Sequence, residues 1–273
     1  MKKLMFAAAV AALSTATMAA DSIVSSSVVG YQNKALKADY AFNLTVDTFQ
    51  TVGKEKSAMT LGDIKPNADW MGGSDEILIL SNNGAVQSRY TYMNATDAAN
   101  WGFTEGWYIT DEYNDSDIDL TDLNKNSTVL PLGNGVVALV GLSTTTLTYA
   151  GQVLEDDQPI TLKADYAFNI TGNISPADIT LGDIVPNNDW MGGSDELLVL
   201  ANNGAVAARY TYMNETDAAN WGFTPGWYIT DEYNDSDLNL TGREKNSLPV
   251  KAGEAFVVFV GSSATTITIP SAL

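Results

Sequence analysis

The chain has 273 residues with 14 basic and 33 acidic side chains, no histidine and no cysteine, for a formal net charge of −19. That excess of negative charge repels nucleic acid and anionic membrane surfaces, so neither is an expected partner. Lack of histidine excludes the Ser-His-Asp and Cys-His nucleophile systems and imidazole-based zinc or iron sites; lack of cysteine leaves hydrophobic cores alone to hold the fold.

Residues 1–20 read as an export leader. Lys2 and Lys3 form a positive start, Leu4 to Leu13 is an apolar run too short to span a bilayer comfortably, and Thr17-Met18-Ala19-Ala20 offers small residues for cleavage before Asp21. Its removal leaves 12 basic and 33 acidic groups, a net charge of about −21. No second apolar stretch approaches spanning length, so the expected location is secreted, extracellular or at the cell surface, without membrane insertion.

Most of the remaining chain is written twice. Leu61 to Leu120 returns as Leu181 to Leu240 without a gap, roughly four positions in five being identical. The period is that of a whole small domain, which predicts an all-β protein of two homologous domains in tandem, residues 21–149 and 150–273, each an antiparallel β-sandwich or partly closed barrel. The opening "LKADYAFN" pairs at an offset of 126 and everything after Leu61 at 120, so the first repeat carries about six extra residues between Val46 and Met59, as expected of a surface loop.

In chain order, strands are predicted at Leu36 to Val46, Glu76 to Leu80, Ala85 to Met93, Gly106 to Tyr113, Gly135 to Gly141 and Thr144 to Val153. Asn82-Asn83-Gly84, and Asn202-Asn203-Gly204 in the second copy, predict tight hairpins with positive φ at both turn positions. Helix is scarce: one turn at Thr60 to Ile64, and another at Thr96 to Asn100 with Thr96 as its cap.

The retained tryptophans and tyrosines read first as core. Trp101 and Trp221 are the exception, because "TDAANWGF" has the character of a short surface loop; they are the candidate ligand-binding pair if the partner is a polysaccharide. The acidic runs offer Asp111, Asp115 and Asp117, with Asp231, Asp235 and Asp237 in the second copy, as candidate ligands for a hard cation, Ca2+ being the candidate cofactor. They lack the glycine and terminal glutamate of an EF-hand, and a solvated acidic turn is the plainer reading. Paired carboxylates of a glycosidase, Asp75 or Glu76 against Asp111 or Glu112, are a weaker alternative, as the chain offers no other catalytic element.

"VVGYQ", "TLGDI", "SDEILIL", "GWY", "PLGNGV" and "YAGQV" together resemble a class of secreted bacterial β-repeat proteins often encoded as tandem copies. That resemblance implies an exported envelope or matrix protein and supplies no catalytic residues.

The ends of the repeats differ. "TTTLTYAGQV" joins one repeat to the next, "ATTITIPSAL" has no successor, and the N-terminal "SSSVVGYQNK" has no predecessor. Val28, Val29, Gly30 and Tyr31 are therefore the candidate assembly residues, adding a strand beside the last strand of a neighbour in a head-to-tail array. The expected function is that of a non-enzymatic, self-assembling structural protein of the cell surface or an extracellular filament; the alternative is a bivalent carbohydrate-binding protein.

Overall fold

The structure, a computed structural model, describes residues 29–50, 59–110, 124–230 and 244–271, apart from the side chain of Trp101. It is all-β with antiparallel pairing, relieved by the seven-residue helices Ala95–Trp101 and Glu215–Trp221 and single 3-10 turns at Leu61–Asp63 and Leu181–Asp183. No described helix is long and apolar enough to cross a membrane.

Among the described residues there are four larger sheets, beside the two-stranded pairs Met59–Thr60 with Val129–Leu130 and Ile179–Thr180 with Pro249–Val250. In the first half, an outer sheet runs Val29–Leu36, Thr145–Val153, Phe49–Gln50, with Ile64–Pro66 also paired to Thr145–Val153. An inner sheet runs Asn43–Thr45, Val136–Leu139, Glu76–Leu80, Val86–Met93, Gly106–Ile109. The second half repeats the inner order with Asn169–Gly172, Ala255–Phe259, Glu196–Leu200, Val206–Met213 and Gly226–Thr230; its outer sheet is Gln158–Leu162, Thr265–Ile269, Val185–Pro186.

Alternation along the central strands Glu76–Leu80 and Val136–Leu139 explains their runs of apolar residues. In "EILIL", Ile77 and Ile79 belong to the first-half core while Leu78 and Leu80 face the second half. The Val136–Leu139 strand does the same, sending Val136 and Ala138 one way and Val137 and Leu139 the other. A strand buried on both faces has no need of a polar residue at every second position. The first-half core joins Leu36, Phe49, Leu147 and Tyr149 of the outer sheet to Ile77, Tyr90 and Trp107 of the inner one. Trp107 is fixed there by edge-on contacts with Trp70 at 5.4 Å and Tyr92 at 5.3 Å, and its indole N–H donates to Ile64 O at 2.9 Å. Trp227 repeats this with Trp190, Tyr212 and Ile184 O. The expectation that most retained aromatics are core holds for Trp70, Trp107, Tyr90, Tyr92, Tyr108 and for Trp190, Trp227, Tyr210, Tyr228; Tyr113 and Tyr233 lie outside the described residues.

Several local readings are corrected. Leu36 to Val46 is not one strand: the chain leaves the outer sheet at Leu36, turns through Asp39 and Tyr40 with φ of 61° and 54°, and enters the inner sheet at Asn43. The Asn43 carboxamide closes this turn, accepting the Lys37 N–H at 2.8 Å and donating to Lys37 O and Ala41 O at 3.0 Å. The hairpin at Asn82-Asn83-Gly84 has positive φ only at Gly84 (79°), with Gly84 N–H donating to Ser81 O and a register shift between Ile79 and Leu80. This is a turn ending in a left-handed glycine and a bulge, not a two-residue turn with both residues left-handed. The helix is capped by Asn94, whose side chain accepts from the Thr96 and Asp97 N–H groups, rather than by Thr96. Val153 and Leu154, at the end of the Thr145–Val153 strand and just after it, belong to the first-half and second-half clusters respectively.

Candidate functional site

Of the candidate assembly residues, Val28 lies outside the described residues, while Val29, Gly30 and Tyr31 open the Val29–Leu36 strand. The strand is already paired in its own half, register Val29 with Gln152, Gly30 with Gly151 and Tyr31 with Ala150. The facing glycines have a physical reason: a Cβ on Gly30 would lie 2.8 Å from the Phe49 ring, and one on Gly151 would overlap the Gln50 carbonyl. Phe49 packs across this gap and is itself fully buried.

One face of this strand grips the rest of the molecule. Gln32 accepts the Thr48 hydroxyl at 3.0 Å, and Lys34 Nζ donates to Gly253 O in the second half at 3.2 Å. Burial pulls the Lys34 ammonium below its ordinary value, opposed by the neighbouring Glu254 carboxylate. The alternate face is open, with Val29 59% and Tyr31 74% exposed. Among the described strands, Val29–Leu36 pairs only with Thr145–Val153, so the outward half of its backbone N–H and C=O groups forms a sheet edge.

The other partner of the expected strand addition is different from what the ends of the sequence suggest. Thr265–Ile269 lies between Gln158–Leu162 and Val185–Pro186 and has neighbours on both sides. The edge strand of the second-half outer sheet is instead Gln158–Leu162. It has five residues against the eight of its first-half counterpart, follows the exposed Glu155-Asp156-Asp157, and carries Pro159, which removes one donor.

The candidate sugar-binding residues end the two short helices. Trp221 is 55% exposed, as expected of a surface residue; the Trp101 side chain lies outside the described residues. A polar groove of about 560 Å³ lies nearby in the second half, lined by Asn188, Trp190, Met191, Asn214, Glu215 and Asp217, without Trp221. In the first half, Ala68 and Ala95 stand where Asn188 and Glu215 stand, so the two copies do not present the same polar groups there.

Asp111, Asp115, Asp117, Asp231, Asp235 and Asp237 all lie outside the described residues, as does Glu112. Among the described residues, no group of three or more carboxylates is placed to hold a metal ion. Asp75, considered above as a catalytic carboxylate, is buried and accepts the N–H groups of Met71 at 2.8 Å and Gly141 at 2.9 Å, tying the inner sheet to its own loops. Glu76 accepts from Arg89 and from the Thr110 hydroxyl, both at 2.8 Å.

Compared with known proteins, the chain matches no family model, and neither a curated protein nor a solved structure shows significant similarity to it.

Proposed function

We propose that the chain is an exported, non-catalytic structural protein, built of two homologous β-sandwich domains, that assembles with further copies of itself through the outer edge of Val29–Leu36. The supporting observation is the contrast between the two equivalent edges. The first-half edge is long, carries the exposed apolar side chains of Val29 and Tyr31 and lacks proline; the second-half edge is short, acidic at its entry and interrupted by Pro159. Soluble proteins ordinarily blunt such edges, and an edge left long and apolar is a template for strand addition. The strong negative charge and the leader fit a role outside the cell. In this reading Asp111, Asp115, Asp117, Asp231, Asp235 and Asp237 are the candidate calcium ligands.

The test is size exclusion and electron microscopy of the mature protein over a range of concentrations, with and without calcium, beside the double variant Val29→Lys, Tyr31→Lys. Oligomers that grow with concentration and are lost in the variant support the reading; a chain that stays monomeric in every salt, or a variant that assembles unchanged, overturns it. The exposed Trp221 supports the second reading, a carbohydrate-binding surface. Its test is calorimetric titration with oligosaccharides, in which Trp221→Ala lowers the number of binding sites and Trp101→Ala with Trp221→Ala abolishes the heat of binding if the bivalent reading holds.

A further inference from the structure

The seam between the two halves is built from contacts made twice. Phe42 N–H donates to Asn202 O at 2.6 Å, and Phe168 N–H donates to Asn82 O at 2.6 Å. Lys37 Nζ reaches Asn202 Oδ1 at 2.8 Å, and Lys163 Nζ reaches Asn82 Oδ1 at 2.8 Å. The Phe42 ring lies over Gly204 as the Phe168 ring lies over Gly84. Phe42 and Phe168 are one position of the repeat, and so are Asn82 and Asn202. In this set of contacts each half does to the other what the other does to it, as in a twofold, self-complementary interface.

Its apolar content has the same symmetry: Leu78 and Val137 meet Leu198 and Val257, with Leu80 and Leu200 at the margin. Reciprocity fails in a few places, such as the Gly135 N–H donating to Ile170 O and the bridge between Thr45 and Glu254. Even there the contact runs from one half to the other: Val46 of the first half is buried in the second-half core.

The halves are joined by Leu154–Asp157, of which Glu155, Asp156 and Asp157 are exposed. A seam of this kind is satisfied equally by the half at the other end of the connection and by the same half of another molecule. We propose that two copies of the chain exchange halves, the first half of each docking on the second half of the other, so that every seam contact re-forms between chains in a closed dimer. This deepens the assembly reading by naming a second copy as partner, and rests on it for its biological role; the seam itself is a separate surface from the Val29–Leu36 edge.

Closed monomer and exchanged dimer contain the same seam, so the balance between them depends on the connection and on concentration. A short tether holds its own two halves at an effective concentration in the millimolar range, and exchange competes when the chain refolds near that concentration or when the tether is too short to fold back. Deleting Glu155 to Asp157 removes the slack and should shift the chain to a dimer at concentrations where the intact chain is a monomer.

The absence of native cysteine allows a direct test on the full mature chain. Lys37→Cys and Asn202→Cys are made in separate chains, each already carrying Val29→Lys and Tyr31→Lys to silence the outer edge. The two are refolded together, at about 10 μM and at about 1 mM, and treated with a short bis-maleimide. Exchange predicts a cross-linked species of twice the chain mass at the higher concentration, and much less when the two chains are folded separately and then mixed. Absence of that species at both concentrations overturns the exchange, whether or not the deletion variant folds. It would leave assembly through the outer edge standing, because that reading is tested on chains whose edge is intact.

Discussion

Asp47 and Asn173 occupy the same position of the repeat and meet opposite fates. The Asn173 carboxamide donates to Ala177 O at 2.8 Å and Val250 O at 3.2 Å and accepts the Ser175 N–H at 2.9 Å. Asp47, at the entrance to the six-residue insertion, is 3% exposed, and neither carboxylate oxygen has a hydrogen-bond partner among the described residues. Desolvation pushes its carboxyl well above the ordinary value, and the ionised form would also repel a developing charge on the neighbouring Tyr149, whose own phenol is raised chiefly by burial. The sign follows from linkage. Below about pH 4 the carboxyl is protonated in folded and unfolded chains alike and carries no penalty; as pH rises, the unfolded chain ionises first and stability falls until the folded-state value is passed. Asp47→Asn should therefore melt with the parent near pH 3.5 and above it at pH 7, by roughly 2–4 °C for each kcal/mol relieved; equal melting temperatures across that range would mean that Asp47 finds a partner. A second pair gives a contrast of sign. Thr45 Oγ1 lies 3.0 Å from the Tyr149 hydroxyl, but Ile269 stands where Tyr149 does, and the buried Thr171 hydroxyl has no partner among the described residues. Thr45→Val strands a buried phenol and should cost about 1–3 kcal/mol, whereas Thr171→Val should be neutral or stabilising by up to about 1 kcal/mol, both read from urea denaturation midpoints.

Among the elements, the hairpins show what local chemistry does and does not determine. Asn-Asn-Gly between apolar runs located both hairpins, but the turn type was decided by the bulge at Leu80 and Leu200, which shifts the register and leaves only the glycine left-handed. Gly84→Ala should cost about 1–2 kcal/mol, because a Cβ at φ 79° is strained whatever space surrounds it. Gly84→Asn should cost less, since asparagine tolerates that conformation. If the alanine variant were as stable as the parent by urea denaturation, the glycine would not be setting the turn. The strand predicted from Leu36 to Val46 failed for a related reason: its β-rich composition hid a sheet-to-sheet crossing held by Asn43, one of whose four side-chain hydrogen bonds goes to a carbonyl of the distant Ala138. The surface position of Trp221 was legible because "TDAANWGF" is short and polar. The edge was legible only in part: among the described strands Val29–Leu36 lies at the end of its sheet, whereas Thr265–Ile269 is paired on both sides, by Gln158–Leu162 and by the two-residue strand Val185–Pro186, too short to give a periodic signal.

At the scale of the whole molecule, the duplication could be read directly from the sequence, whereas the seam could not, because equivalence of two halves does not say which of their faces meet. The trace it leaves is the run of apolar residues on both faces of "EILIL", "ELLVL" and "AFVVF", more than one core needs. That seam predicts how the chain unfolds. Melting one half alone would expose Leu78 and Val137, or Leu198, Val257 and Ile170, on the survivor, and melting the first half would also withdraw Val46 from the second-half core. At roughly 1.5–3 kcal/mol for each fully buried apolar side chain, the five central seam residues account for roughly 8–15 kcal/mol, an upper estimate because the unfolded chain already buries part of that surface. A typical single domain is stabilised by about 5–15 kcal/mol in total. Partial unfolding on those terms costs about as much as a half has to lose, so the two should melt together, as one calorimetric transition whose enthalpy matches the van't Hoff value. Leu78→Ala should destabilise by about 2–5 kcal/mol and lower that single transition as a whole. Two resolved transitions in the unmodified chain, or a Leu78→Ala variant in which only one half loses its melting temperature, would mean that the seam is too weak to couple the halves.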